Sequence, residues 1–174
     1  MINGIIVQVK EDRDYKGVEG DNWFYDNEQL DAFRDYYDDS IDLSWDDTRY
    51  VDVCNNIDYI RRYTAVLGEQ NINFRLLLCE TEKDLPIFDS TDIIDKKFLG
   101  YDYAYPGGSY YSAVYNDFVL RKFDEFSGIK LNENGLLLSE EDLDNFIKLR
   151  TDLKDKYSFE NGDFIKYKLY EVMC

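Results

Sequence analysis

The chain has 174 residues, 37 aspartates and glutamates against 20 lysines and arginines, and no histidine, for a formal charge of -17 at pH 7. A surplus of that size repels a nucleic-acid backbone, whose binding depends on a positive footprint that displaces condensed counterions. Without histidine, the Ser-His-Asp and Cys-His arrangements, His-containing zinc sites and a histidine general base or pH switch are excluded within one chain.

The 44% apolar and 17% aromatic content is enough for a sizeable core. The 16 tyrosines, 11 phenylalanines and 2 tryptophans supply the burial that disordered acidic chains lack. Two prolines and no Ser- or Gly-rich run predict one domain over 1–174 with no linker. Cys54, Cys79 and Cys174 form no C-x-x-C pair, which points to a reducing cytoplasm and to no cysteine-held metal. The N-terminus lacks the basic and apolar regions of a signal peptide, and no apolar run approaches the roughly 18 residues of a membrane span. The expectation is a cytoplasmic protein with no cofactor and no membrane association.

Ile2 to Val9 is short and β-branched and predicts a first strand, ended by the charged stretch from Lys10 to Gly20. Asp26 with Gln29 has the polarity of a capping box and opens a helix to about Asp38, with Leu30, Phe33 and Tyr37 on one face. A second helix is expected from Asp46 or Asp47, its seam formed by Tyr50, Val53, Cys54, Ile57, Ile60 and Leu67, with Gly68 in the C-terminal capping position. Phe74 to Cys79 is a nearly continuous apolar run, as expected of a central strand covered on both faces.

Phe98 to Tyr105 reads as another strand, ended by Pro106-Gly107-Gly108, and a helix from about Ser109 to Phe126 is expected after it. Asn134-Gly135 between Ile129-Lys130-Leu131 and Leu136-Leu137-Leu138 signals a hairpin, both turn residues tolerating positive φ. Ser139 with Asp142 caps a helix whose seam is Leu143, Phe146, Ile147, Leu149 and Leu153. Asn161-Gly162 turns the chain into a last strand, Phe164 to Val172, with alternating lysines. This order is not the strict alternation of a doubly wound sheet. It predicts α+β, with about four helices packed on a mixed or mainly antiparallel sheet of five to six strands.

The charge is concentrated. Residues 11–58 hold 16 acidic and four basic residues, a net of -12, whereas residues 59–174 hold 21 acids and 15 bases. In the expected helix over 27–38, Glu28, Asp31, Asp35 and Asp38 fall on one stripe nearly opposite Leu30, Phe33 and Tyr37. The stripe continues into Asp39, Asp42, Asp46 and Asp47, and Trp23 and Trp45 lie in the same segment. A solvated helix face is the ordinary explanation of such a stripe. Against it, like charges at i,i+3 and i,i+4 repel by roughly 0.2–0.5 kcal/mol per pair, and aspartate is a poor helix former beyond the first turn. Of the 37 acids, 25 are aspartates, which solubility alone does not require.

A negative stripe flanked by aromatic residues suits a basic partner surface, the field steering association and the rings anchoring it. Large basic clefts belong mostly to proteins that handle nucleic acid. The favoured expectation is therefore an acidic nucleic-acid mimic, in physical character like phage anti-defence (anti-CRISPR-like) or toxin-immunity proteins, that blocks a nuclease or other effector without turnover. Its contact residues would be Trp23, Glu28, Asp31, Asp35, Asp38, Asp39, Asp42, Trp45, Asp46 and Asp47.

Three other constellations compete. Asp38, Ser40 and Asp42 imitate the start of an EF-hand loop, but Leu43 stands at the glycine position and Arg49 at the final glutamate; a looser divalent-metal site among these aspartates stays open. Glu80, Asp95 and Lys97, at the ends of two expected strands, can be drawn as a metal-dependent phosphoesterase or nuclease. Tyr101, Tyr103, Tyr105, Tyr110, Tyr111 and Tyr115 surround a glycine turn, either as core packing or as a small-ligand module.

Overall fold

The computed structural model describes residues 2–10, 23–25, 57–82, 93–105, 111–121 and 123–173. Within them, strands β1 (Ile2–Lys10), β2 (Trp23–Tyr25), β3 (Phe74–Glu80), β4 (Ile94–Tyr105), β5 (Tyr111–Ser112) and β6 (Ile165–Met173) form one sheet in the order β2-β1-β3-β6-β4-β5. Every pairing is antiparallel. Two α-helices are described, α1 (Ile57–Glu69) and α2 (Glu140–Leu153), with a π-helical segment over Val114–Leu120 and a 3-10 turn over Asp124–Phe126. The fold is thus α+β on an antiparallel sheet, the class expected from the order of elements. The helix expected over 27–38 and the expected beginning of the second helix lie outside the described residues.

The strand patterns decide what packs where. In β3 all five residues from Arg75 to Cys79 are buried, because both faces of this strand are covered. Leu76 and Leu78 join Ile5, Val7 and Val172 beneath Ile60, Tyr63 and Leu67 of α1. Leu77 and Cys79 point the other way, into a cluster with Ile6, Leu99, Ala104, Ile165, Tyr167 and Leu169, which the sheet gathers by curling; Leu136 joins them. A third cluster unites Leu143 and Phe146 of α2 with Val114, Phe126, Leu137 and Phe159, and Tyr101 and Tyr103 of β4 pack against it. Since Tyr101 lies opposite Lys168, and Lys168 opposite Glu80, the side chains under α1 and those beside α2 share one face of the sheet.

Local chemistry explains the helix ends and corrects three expectations. Ser139 is the N-cap of α2, its hydroxyl oxygen accepting from the Asp142 N–H at 3.1 Å, as expected. Gly68 does not cap α1. That role falls to Asn71, at φ 56°, with the Asn71 N–H donating to the Gly68 carbonyl and the Ile72 N–H to the Leu67 carbonyl. This is a Schellman closure, and Ile72 packs against the cluster that contains Leu67. Asparagine tolerates the left-handed region well enough to supply the stop three residues later than glycine suggested.

The helix expected over 109–126 is instead the short strand β5, the π-helical segment and the 3-10 turn; Ser109 and Tyr110 lie outside the described residues. At the Asn134-Gly135 turn only Gly135 has positive φ, 70°. The flanks make isolated bridges, Leu131 to Leu137 and Leu137 to Tyr101, in place of two strands. Asn132 closes the turn: its side-chain oxygen accepts from the Asn134 and Leu136 N–H groups, and its amide donates to the Leu99 carbonyl at 2.6 Å.

Candidate functional site

Of the expected contact residues, only Trp23 is described, as the residue of edge strand β2 that lies opposite Lys10. Glu28, Asp31, Asp35, Asp38, Asp39, Asp42, Trp45, Asp46 and Asp47 lie outside the described residues. The composition of 11–58 did not suggest a strand at Trp23–Tyr25, because three residues are too few to show a period.

Tyr103 and Tyr105 of β4 and Tyr111 of β5 are arranged around one ring, that of Phe164. Tyr103 stacks on Phe164 at 5.2 Å, Tyr105 lies 5.9 Å from it, and Tyr111 meets it edge-on at 6.1 Å. Alternation along β4 puts Tyr101, Tyr103 and Tyr105 on one face, so an aromatic pattern at strand period packs together. Burial and then the charge of Asp117 push the Tyr111 hydroxyl above its usual range.

Glu80, Asp95 and Lys97 do not converge on one another through the contacts they make. Glu80 is engaged by Lys96, at 3.0 Å. Lys97 lies opposite Glu171, and Asp95 sits at a bulge with φ 54°. Burial acts to raise the Glu80 carboxyl, but hydrogen bonds from Lys96 and from the Tyr170 hydroxyl, with the Lys96 charge, outweigh it and hold the group below its ordinary value.

Lys96 belongs to a larger arrangement on the helix-bearing face. Between the area covered by α1 and that covered by α2, the sheet presents Phe98, 44% exposed, with its ring 5.4 Å from Tyr170 and 5.2 Å from Tyr101, both edge-to-face. The Lys96 ammonium lies 3.8 Å from the centre of the Tyr170 ring while bonded to Glu80. On the next row, Lys168 lies 5.9 Å from the Tyr101 ring and 3.0 Å from Glu140 at the start of α2. Two cations are thus each held between a tyrosine ring and a carboxylate. Beside them, a cleft of about 310 Å³ opens between the end of β3 and α2, lined among others by Glu80, Glu82, Tyr101, Glu140, Asp144 and Lys168. Lys166 pairs with Asp144 at its rim.

The alternating lysines of the last strand were the sequence signal for this face. Lys96, Glu140 and Tyr170 were not identified as site residues, because their partners are set by strand order and not by spacing along the chain.

Two buried acids complete the electrostatics. Asp102 is fully buried and accepts from the Ser112 hydroxyl at 2.7 Å and the Tyr103 N–H at 2.8 Å. Burial, and next the Asp102 charge, raise the Cys79 thiol well above its ordinary value, so it is a core thiol and not a nucleophile. Asp117, in the π-helical segment, is fully buried and receives the Arg150 Nε–H at 2.6 Å. Its Oδ1 has no hydrogen-bond partner. Arg150 also donates to the Glu160 carbonyl at 2.8 Å and lies 4.3 Å from the Phe164 ring centre.

Among the described residues no group of acids and cysteines is placed to hold a metal ion, and no helix is long and apolar enough to cross a membrane. Compared with protein-family models, with curated proteins and with solved structures, the chain matches none.

Proposed function

We propose that the chain is an acidic inhibitor that occupies the basic, nucleic-acid-binding surface of a nuclease or similar effector by steric and electrostatic occlusion, without turnover. The observation that carries this reading is the charge imbalance of residues 11–58, 16 acids against four bases. Several cations elsewhere in the chain are engaged locally. Lys96, Lys148, Arg150, Lys156, Lys166 and Lys168 each already face a carboxylate of their own part of the molecule. A segment with that surplus of charge attracts a basic partner over a Debye length of about 8 Å at physiological salt and accelerates encounter. Trp23 and Trp45 then supply anchoring area. The setting we propose is a reducing cytoplasm, and the organisation a single domain over 1–174 with about four packed helices.

The test is reversal of Asp31, Asp35 and Asp42 to lysine, with affinity measured against the basic protein that co-purifies from the native cell. The expected result is at least about a hundredfold weaker binding, from the coupling energies of close interfacial charge pairs, with circular dichroism unchanged and a steep loss of wild-type affinity with salt. Unchanged affinity with the fold intact refutes the reading.

A further inference from the structure

The face between α1 and α2 already holds two of the chain's own cations. Each of Lys96 and Lys168 sits against a tyrosine ring and a carboxylate at once. A ring quadrupole and an adjacent anion both attract a cation, and the aromatic row joining the two positions through Phe98 stays accessible. The ion pairs that tie the lysines down are themselves partly exposed: the Lys96 and Glu80 side chains by 38% and 31%, those of Lys168 and Glu140 by 37% and 64%. Exposed lysine pairs contribute little, so they exchange readily. A guanidinium is less strongly hydrated than an ammonium, stacks on aromatic faces and bonds a carboxylate through two parallel N–H groups, and therefore competes well for both positions. The adjoining cleft carries a further carboxylate, Glu82, and has room for a side chain.

We infer that this face is a second contact surface, receiving an arginine-bearing segment of a basic protein, with Lys96 and Lys168 standing in for the partner's cations until it binds. The inference rests on the reading above only in taking the partner to be basic, since the face is separate in sequence from the acidic stripe.

The probe is an acetylated, amidated tetra-arginine peptide titrated into the full-length chain, observed through the ring resonances of Phe98, Tyr101 and Tyr170. Saturable shifts of these rings are expected. They should weaken at least about tenfold in affinity when Glu80→Gln and Glu140→Gln are combined. Replacing the stand-ins by Lys96→Met and Lys168→Met should tighten binding several-fold, while Lys130→Met with Lys148→Met, an equal charge change elsewhere, should not. Rings that do not move, or that respond equally in the glutamine variant, overturn the inference. So does equal tightening by the two methionine pairs.

The titration is repeated with Asp31, Asp35 and Asp42 reversed to lysine. Ring shifts that vanish there mean that the stripe alone holds the peptide, which defeats this inference and leaves the first reading standing. Ring shifts that persist, together with a native partner indifferent to the reversal, support this face and defeat the stripe.

Discussion

Replacing Arg150 by methionine removes the only hydrogen-bond donor that the described residues give to the Asp117 carboxylate, together with the guanidinium that lies over Phe159 and Phe164. Asp117 is fully buried and the Arg150 side chain is 12% exposed, so solvent screens the pair little. Asp117 Oδ1 is already without a partner; after the substitution Oδ2 loses its donor as well. Breaking a buried pair from one side costs roughly 3–5 kcal/mol, because an uncompensated charge stays behind. At about 2–4 °C per kcal/mol for a chain of this size, the melting temperature should fall by about 6–20 °C. Urea unfolding should show the lost stability as a lower midpoint with an unchanged slope.

The companion variant is Asp117→Leu with Arg150→Met. It removes both charges and should recover most of the loss, giving a strongly favourable coupling energy in the double-mutant cycle. If Arg150→Met costs less than about 1 kcal/mol, or the double variant is no more stable than the single one, the carboxylate is not charged and dependent on Arg150, and the reasoning fails.

Two further outcomes test the fold and its electrostatics. Gly100 has φ 151°, and a Cβ there would lie 2.7 Å from Leu136 Cβ and 2.8 Å from the Leu137 carbonyl oxygen; Gly100→Ala should therefore cost about 1–3 kcal/mol by chemical denaturation, and a neutral result would mean that the 132–137 turn is not seated on β4. For Glu80, whose carboxyl is held below its ordinary value of 4.5, the sign is that of an acid stabilised in its charged form: its contribution is complete above that value and is lost as pH falls through the folded value. The stability advantage of wild type over Glu80→Gln should accordingly shrink as the pH of the unfolding titration is lowered from 6 to 3, and an advantage independent of pH would show that the Lys96 and Tyr170 bonds do not act on the charged form.

Much of the body was legible because its signals are local. The β3 run, continuous from Phe74 to Cys79, announced a strand buried on both faces, and the Ser139 cap with the Leu143 and Phe146 spacing announced α2. Gly68 misled because glycine and asparagine compete for the same left-handed position, and it is the backbone bonds of Asn71 to Gly68 and of Ile72 to Leu67, with Ile72 packed on the core under α1, that place the stop at Asn71. The region after Tyr110 misled because its aromatic spacing suits a helix, whereas β4 claims Tyr111 and Ser112 as a short edge pairing before the π-helical segment begins.

By itself the sequence determined which segments are apolar at strand or helix period and where the negative charge accumulates, since both depend on residues near one another in the chain. Tertiary structure alone decided which charges are neutralised and which rings are left open. Arg150 reaches Asp117 across 33 residues because α2 and the π-helical segment pack into one cluster, and Lys96 reaches Glu80 across 16 because β6 lies between β3 and β4 and brings distant rows into line. The exposed Phe98 between two lysine-capped tyrosines exists for the same reason: α1 and α2 cover the two sides of one sheet face and leave the strip between them uncovered.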